Sequence, residues 1–130
     1  VINYGKYIAT APTCIDCHSK KEKGDFVEGM QYAGGFEFPF PGGSIVSSAN
    51  ITPDKETGIG EWSKEVFIRK FKSFTDSNYV LPSVAPGQYN SIMPWTMYSG
   101  MKEEDLGALY EYLMSLKPIK NEVEKFTPAR

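Results

Sequence analysis

Cys14-Ile15-Asp16-Cys17-His18 is the stretch on which the reading of this chain turns. Two thiols three residues apart are followed at once by an imidazole, and these are the only two cysteines and the only histidine in 130 residues. The spacing is that of c-type haem attachment. Such thiols can add to the two vinyl groups on one haem edge, and the next residue then presents its ring to the iron. Three other chemistries compete for the same side chains. A structural zinc site takes about four protein ligands, and here there are three, two of them adjacent. A thioredoxin-like redox pair sits in a βαβ context, which the sequence does not provide. A disulfide across so short a ring removes little loop entropy and leaves His18 unexplained. One covalent haem, held by Cys14 and Cys17 and ligated by His18, is the expectation.

Upstream of the motif, residues 2 to 11 carry apolar groups at helical spacing and Pro12 stops the run, which predicts a short first helix. Downstream, Ser19 to Glu61 shows no sustained period. Gly34-Gly35, Pro39, Pro41 and Gly42-Gly43 mark turns, and a loop of this length in a compact domain needs something to wrap around. A second helix is predicted after the N-cap Ser63, with Val66, Phe67, Phe71 and Phe74 on its apolar face and Lys64, Arg69 and Lys72 off it. Residues 75 to 100 are again loop-like, broken by Pro82, Pro86, Gly87, Pro94 and Gly100. The third helix opens on Glu103, Glu104 and Asp105, which suit the positive end of its dipole. It carries Leu106, Leu109, Tyr110, Leu113 and Leu116 as a stripe and ends at Lys117-Pro118. Gly5 facing Leu109, Tyr110 and Tyr112 suggests a close crossing of the first and last helices. The fold class is therefore mainly α: three main helices with long ordered loops around one haem, in a single domain over residues 1–130.

Composition agrees. Apolar residues at 41% and aromatics at 14% can build a core, while nine Pro and twelve Gly imply irregular backbone that a large cofactor would help to organise. A net charge of -2 provides no basic field for a phosphate backbone, so nucleic acid is not an expected partner. No apolar run approaches the ~18 residues of a bilayer span, and the start lacks a basic and then apolar leader. Beginning at Val1 without Met, the chain reads as a mature or trimmed piece.

With His18 the sole imidazole, the second axial ligand is a methionine, a weaker donor, or nothing. Met30, Met93, Met97, Met101 and Met114 compete. Met114 falls within the third helix, where methionine is core filler, and Met30 follows the motif too closely to reach the opposite haem face. Met93 is preferred because Pro94 fixes the backbone after it, with Met97 and Met101 as fallbacks. Met/His ligation raises the reduction potential, as suits an electron carrier. The second ring nitrogen of a ligating His needs an acceptor, for which the carbonyl of Pro39 or Pro41 is expected. Trp62 and Trp95 can donate indole N–H groups to haem propionates, and Arg69 is a further candidate.

Several segments together carry a family resemblance: Cys14 to His18; Pro41-Gly42-Gly43-Ser44-Ile45 leading to Asn50-Ile51-Thr52-Pro53-Asp54; Thr57-Gly58-Ile59-Gly60-Glu61-Trp62-Ser63; Met93-Pro94-Trp95; and Glu104-Asp105-Leu106 through Tyr112-Leu113. The chain resembles class I cytochromes c, and more narrowly the haem domains of cytochrome subunits of membrane-bound alcohol, gluconate and related dehydrogenases. The resemblance implies Met93 as distal ligand, a helical fold with an exposed haem edge, and export to the periplasm. It also implies electron flow from a dehydrogenase toward a quinone or terminal oxidase, with no substrate bond made or broken by this chain. Those subunits commonly string several such domains together and end in an anchor; this sequence has one haem motif and no anchor. Lys102 stands where the family often has a Ser or Thr cap. The alternative function is a haem enzyme or gas-binding module whose sixth iron position is open or labile.

Overall fold

The first helix, α1 (Ile2–Thr10), and the last, α5 (Glu103–Ser115), cross so closely that glycine is required between them. A Cβ on Gly5 would lie 2.0 Å from the Ala108 carbonyl oxygen and 2.7 Å from Tyr112 Cβ. The computed structural model in which this is seen describes residues 2–11, 13–75 and 92–128; Pro12 and residues 76–91, including the Pro82, Pro86 and Gly87 breaks, lie outside the described residues. The crossing expected from Gly5 is therefore made on Ala108 and Tyr112. Leu109 instead faces the core, and Tyr110 turns toward the next helix, its ring 5.6 Å from that of Phe67 and its hydroxyl donating to the Trp62 carbonyl at 2.7 Å.

That helix, α3 (Lys64–Lys72), begins where Ser63 Oγ accepts the Val66 N–H at 3.2 Å and runs on into a 3-10 turn, Ser73–Thr75. Phe67 and Phe71, four positions apart, are buried. Val66, expected beside them, is 45% exposed, because one residue of helix rotates a side chain by roughly 100° off that line. Lys72, expected on the solvent side, is half-buried: its Nζ donates to the Ser99 carbonyl at 3.0 Å and to the Met101 carbonyl. Ile8, Ala9, Tyr32, Ile59, Phe67, Phe71, Leu106, Leu109 and Leu113 form one core. At roughly 25 cal/mol per Å² of apolar surface, covering these side chains is the main force holding the three long helices together.

The expectation of three helices understates the architecture. Among the described residues there are five α-helices, the extra two being single turns, α2 (Cys14–Cys17) and α4 (Trp95–Tyr98). The segment from Ser19 to Glu61, expected as loop, contains two antiparallel hairpins. β1 (Lys21–Glu22) pairs with β2 (Asp25–Phe26), and β3 (Glu37–Pro39) pairs with β4 (Ile45–Ser47). A final strand, β5 (Phe126–Thr127), joins the other edge of β4 to complete the order β3-β4-β5. Strands of two or three residues hold too few positions for alternation to show.

Candidate haem-attachment site

Thr13, with φ 62° in the left-handed region, breaks the chain away from α1 and sets up the single turn that follows. The amide of Asp16 donates to the Thr13 carbonyl at 3.0 Å and that of His18 to the Cys14 carbonyl at 2.9 Å. Cys14 and Cys17, at positions i and i+3 of this turn, share a face. Cys14 is half-buried and Cys17 exposed, and the two are not joined to each other. Burial pushes the Cys14 thiol up to about 11, opposed by a backbone hydrogen bond and helped by the neighbouring Cys17.

The imidazole of His18 lies 2.7 Å through Nδ1 from the Ala49 carbonyl oxygen. A carbonyl only accepts, so Nδ1 carries the proton and Nε2 keeps its lone pair, the form in which histidine binds iron. Burial pulls the imidazole pKa below its usual value, with the Ala49 hydrogen bond opposing, so the ring is held neutral. The acceptor is thus neither Pro39 nor Pro41. Pro39 lies in β3, and Pro41 is exposed at the tip of the β3–β4 hairpin; the chain passes His18 only after returning along β4, at residues 48–50.

Gly34 makes that approach possible. Its amide donates to the His18 carbonyl at 2.7 Å, and a Cβ on it would lie 2.4 to 2.6 Å from the Ala49 carbonyl and the Asn50 nitrogen. With φ at +77°, only glycine fits there without strain. Neither Ala49 nor Gly34 is among the site residues expected from the sequence. There Gly34-Gly35 reads only as turn punctuation, and Ala49 offers nothing beyond adjacency to the Asn50 to Asp54 segment.

Two thiols on one turn, followed by a neutral imidazole whose outer nitrogen is tied to a carbonyl, make a donor set that fits haem c. The cytochrome c family matches residues 2–117. This chain belongs to the cytochrome c family. The domain has the class I cytochrome fold and is an electron-transfer unit carrying c-type haem. It is similar to the gluconate 2-dehydrogenase cytochrome c subunit of Pantoea cypripedii, 36% identical over 114 residues that make up 88% of this chain and 23% of the relative. The alcohol dehydrogenase (quinone) cytochrome c subunit of Gluconobacter oxydans is 33% identical over 122 residues, 92% of this chain and 22% of the relative. The fructose dehydrogenase cytochrome subunit of Gluconobacter japonicus is 33% identical over 119 residues, 91% of this chain and 22% of the relative. The cytochrome domain thus spans less than a quarter of the length of each of these relatives.

The segment expected to supply the second ligand is built from tight turns. Pro94, at φ -78° and ψ 66°, makes an inverse γ-turn closed by the Trp95 amide on the Met93 carbonyl at 2.7 Å. Met93 is half-buried and packs against the core, as do Cys14, Ile15, Trp95 and Tyr98. Met101 and Met114 also pack there, whereas Met97 is 72% exposed. Tyr98, missed by sequence reasoning, has its phenol pushed up first by burial and then by Cys14 and Cys17, so α4 lies within electrostatic reach of the attachment turn of this cytochrome. Trp95 stacks on Phe74 with centroids 5.1 Å apart and meets Phe71 edge-on, with Lys70 over its face. That is a packing role. Trp62 is half-buried, and its carbonyl is the acceptor for the Tyr110 hydroxyl. Arg69 is exposed. No helix among the described residues is long and apolar enough to cross a membrane.

Proposed function

We propose that this chain relays single electrons through one haem, joined to Cys14 and Cys17 by thioethers, with His18 as proximal and Met93 as distal ligand, all within one domain of residues 1–130. The observation that carries the reading is the Nδ1 contact of His18 with Ala49, because an acceptor at Nδ1 selects the tautomer whose Nε2 lone pair can bind iron, next in sequence to the turn that bears both thiols. When bound, the haem supplies a one-electron iron couple. The protein's part is to hold, orient and partly desolvate it. Cys14 and Cys17 fix one edge, the Ala49 carbonyl fixes the imidazole plane, and Trp62 offers its indole N–H to a haem carboxylate. Met93, stiffened by the γ-turn at Pro94, would serve as the second ligand, a weak, soft donor that would favour the reduced state.

A dehydrogenase as donor is supported by the relatives, which are named as cytochrome subunits of gluconate, fructose and quinone-linked alcohol dehydrogenases. The cytochrome accepts electrons from a dehydrogenase and passes them to a quinone or a terminal oxidase, in the periplasm or another exported location. The test is to express the chain with haem-ligation machinery, denature it, and weigh it. A mass one haem above the polypeptide, absent in Cys14→Ala/Cys17→Ala, is expected; a bare polypeptide would end the reading. Carbon monoxide and cyanide should bind the native protein weakly, and ready binding would instead indicate an open sixth position.

A further inference from the structure

The residues matched to the family end at 117, yet the chain continues across the back of the His18 site. Residues 119–127 run beside the segment that presents the Ala49 carbonyl. The Asn50 side chain, 4% exposed, donates to the Ile119 carbonyl at 2.8 Å, and its Oδ1 accepts from the Thr52 hydroxyl at 2.7 Å. The Ile119 amide donates back to Thr52 Oγ1 at 3.2 Å. Ser47 donates to the Lys125 carbonyl at 3.0 Å, where β5 begins. From the other side, Ser48 exchanges backbone hydrogen bonds with Gly35 and Phe36, and Ile51 donates to Tyr32. Residues 45–52 are therefore clamped between 32–38 and 119–127, and Ala49 lies in the middle of the clamp.

Asn121 is the residue that locks the two jaws together. Its amide donates to Thr57 Oγ1 at 3.0 Å, and its side-chain Nδ2 donates to the Ala33 carbonyl at 2.9 Å, next to the Gly34 that packs on Ala49. Thr57 Oγ1 in turn donates to Asp54 at 2.6 Å. Every named member of this part-buried network has a partner, the condition under which such networks rigidify rather than weaken a fold.

From this arrangement we infer that residues 119–127 are a proximal strap that sets the reduction potential, with Asn121 as the positioning residue that holds the Ala49 carbonyl against His18 Nδ1. This rests on His18 being the proximal ligand. A firm acceptor at Nδ1 makes the imidazole a stronger donor and stabilises the oxidised iron; a loosened strap lengthens that hydrogen bond and raises the potential.

The experiment uses the full haem-loaded chain. Asn121→Ala is compared with Ser63→Ala, which removes the α3 cap and costs stability without touching the strap. Asn121→Ala is expected to raise the potential by about threefold in the redox equilibrium, ~30 mV for one electron, and to speed solvent exchange of the His18 Nδ1 proton. Ser63→Ala should lower the melting temperature and move neither. The inference is overturned if Asn121→Ala loses stability but keeps the wild-type potential and Nδ1 proton exchange. A second measurement needs no variant: in the wild type under mild denaturant, the Nδ1 proton should exchange with the same opening free energy as the Ile119 and Asn121 amides. A proton still protected after those amides have opened would separate His18 from the strap. Wild-type protein whose His18 resonances lack any haem shift would take down the ligand reading and the strap with it.

Discussion

Met93 and Met97 are four residues apart and differ in what surrounds them: the first is packed against the core, the second is 72% exposed. A thioether can hold its place on iron only if its backbone is fixed, and the γ-turn at Pro94 does that for Met93. Met93→Ala should therefore lower the potential and admit cyanide or carbon monoxide, while Met97→Ala leaves both unchanged. Potentiometry and ligand titrations read the outcome, and the reverse pattern would move the distal ligand to Met97. The candidate attachment turn is legible in the sequence because thioether and iron-ligand chemistry would prescribe the residue types and spacing found at Cys14, Cys17 and His18. The hydrogen-bond acceptor is not. Every residue has a carbonyl, so the choice of Ala49 over Pro39 or Pro41 is made by the path of the chain, which no side chain announces. Gly34 is visible as a glycine, but its use as a backbone spacer depends on a segment fifteen positions away.

At Gly5 and Gly34 elements meet through backbone, and there small changes are costly. At the α1–α5 crossing a Gly5→Ala methyl would strike the Ala108 carbonyl, part of a helix that cannot yield locally. The helices must separate, at a cost of about 1 to 3 kcal/mol, measurable by chemical denaturation with the haem spectrum unchanged. The turn at Asp54 has a pH signature. Its carboxylate accepts from the hydroxyl and then the amide of Thr57, which together hold it below the ordinary carboxylate range. A depressed carboxylate stabilises the fold above the unfolded value, ~3.9, and that contribution is lost as pH falls through the lower folded value. Thermal melts of wild type and Asp54→Asn should therefore converge as pH drops from about 6 toward 3, mostly below about 4. A gap constant with pH would show that the charge contributes nothing. The long helices are readable from the 3.6-residue period, since nine or more positions repeat it. The strands and the single turns α2 and α4 are not, because two to four residues cannot establish a period and their pairing depends on distant segments such as 126–127.

Among the described residues, the His18 side and the Met93 side of the molecule are held by different kinds of tie. The proximal half is stitched by the α1–α5 crossing, the buried Asn50–Thr52 network and the paired strands. The distal segment, residues 93–101, is held by the Trp95 ring against Phe71 and Phe74 and by Lys72, whose ammonium reaches back to the Ser99 and Met101 carbonyls. Segments held by ties separate from the main core can open below the global unfolding free energy. Amides of Leu106 to Leu113 should be the slowest to exchange, and those of Tyr98 and Ser99 should exchange through a cheaper, partial opening. Lys72→Met keeps the apolar stem and removes the charged donor, worth about 1.5 to 3 kcal/mol. That loss should fall on the partial opening. If Met93 is the distal ligand as proposed, cyanide binding to the oxidised protein waits for it to leave and should then be about tenfold faster or more, since ~1.4 kcal/mol is a factor of ten. Global stability from denaturant melts should change less than the local opening measured at Ser99. Equal losses in both would mean that the distal segment is no separate unit but unfolds with the rest.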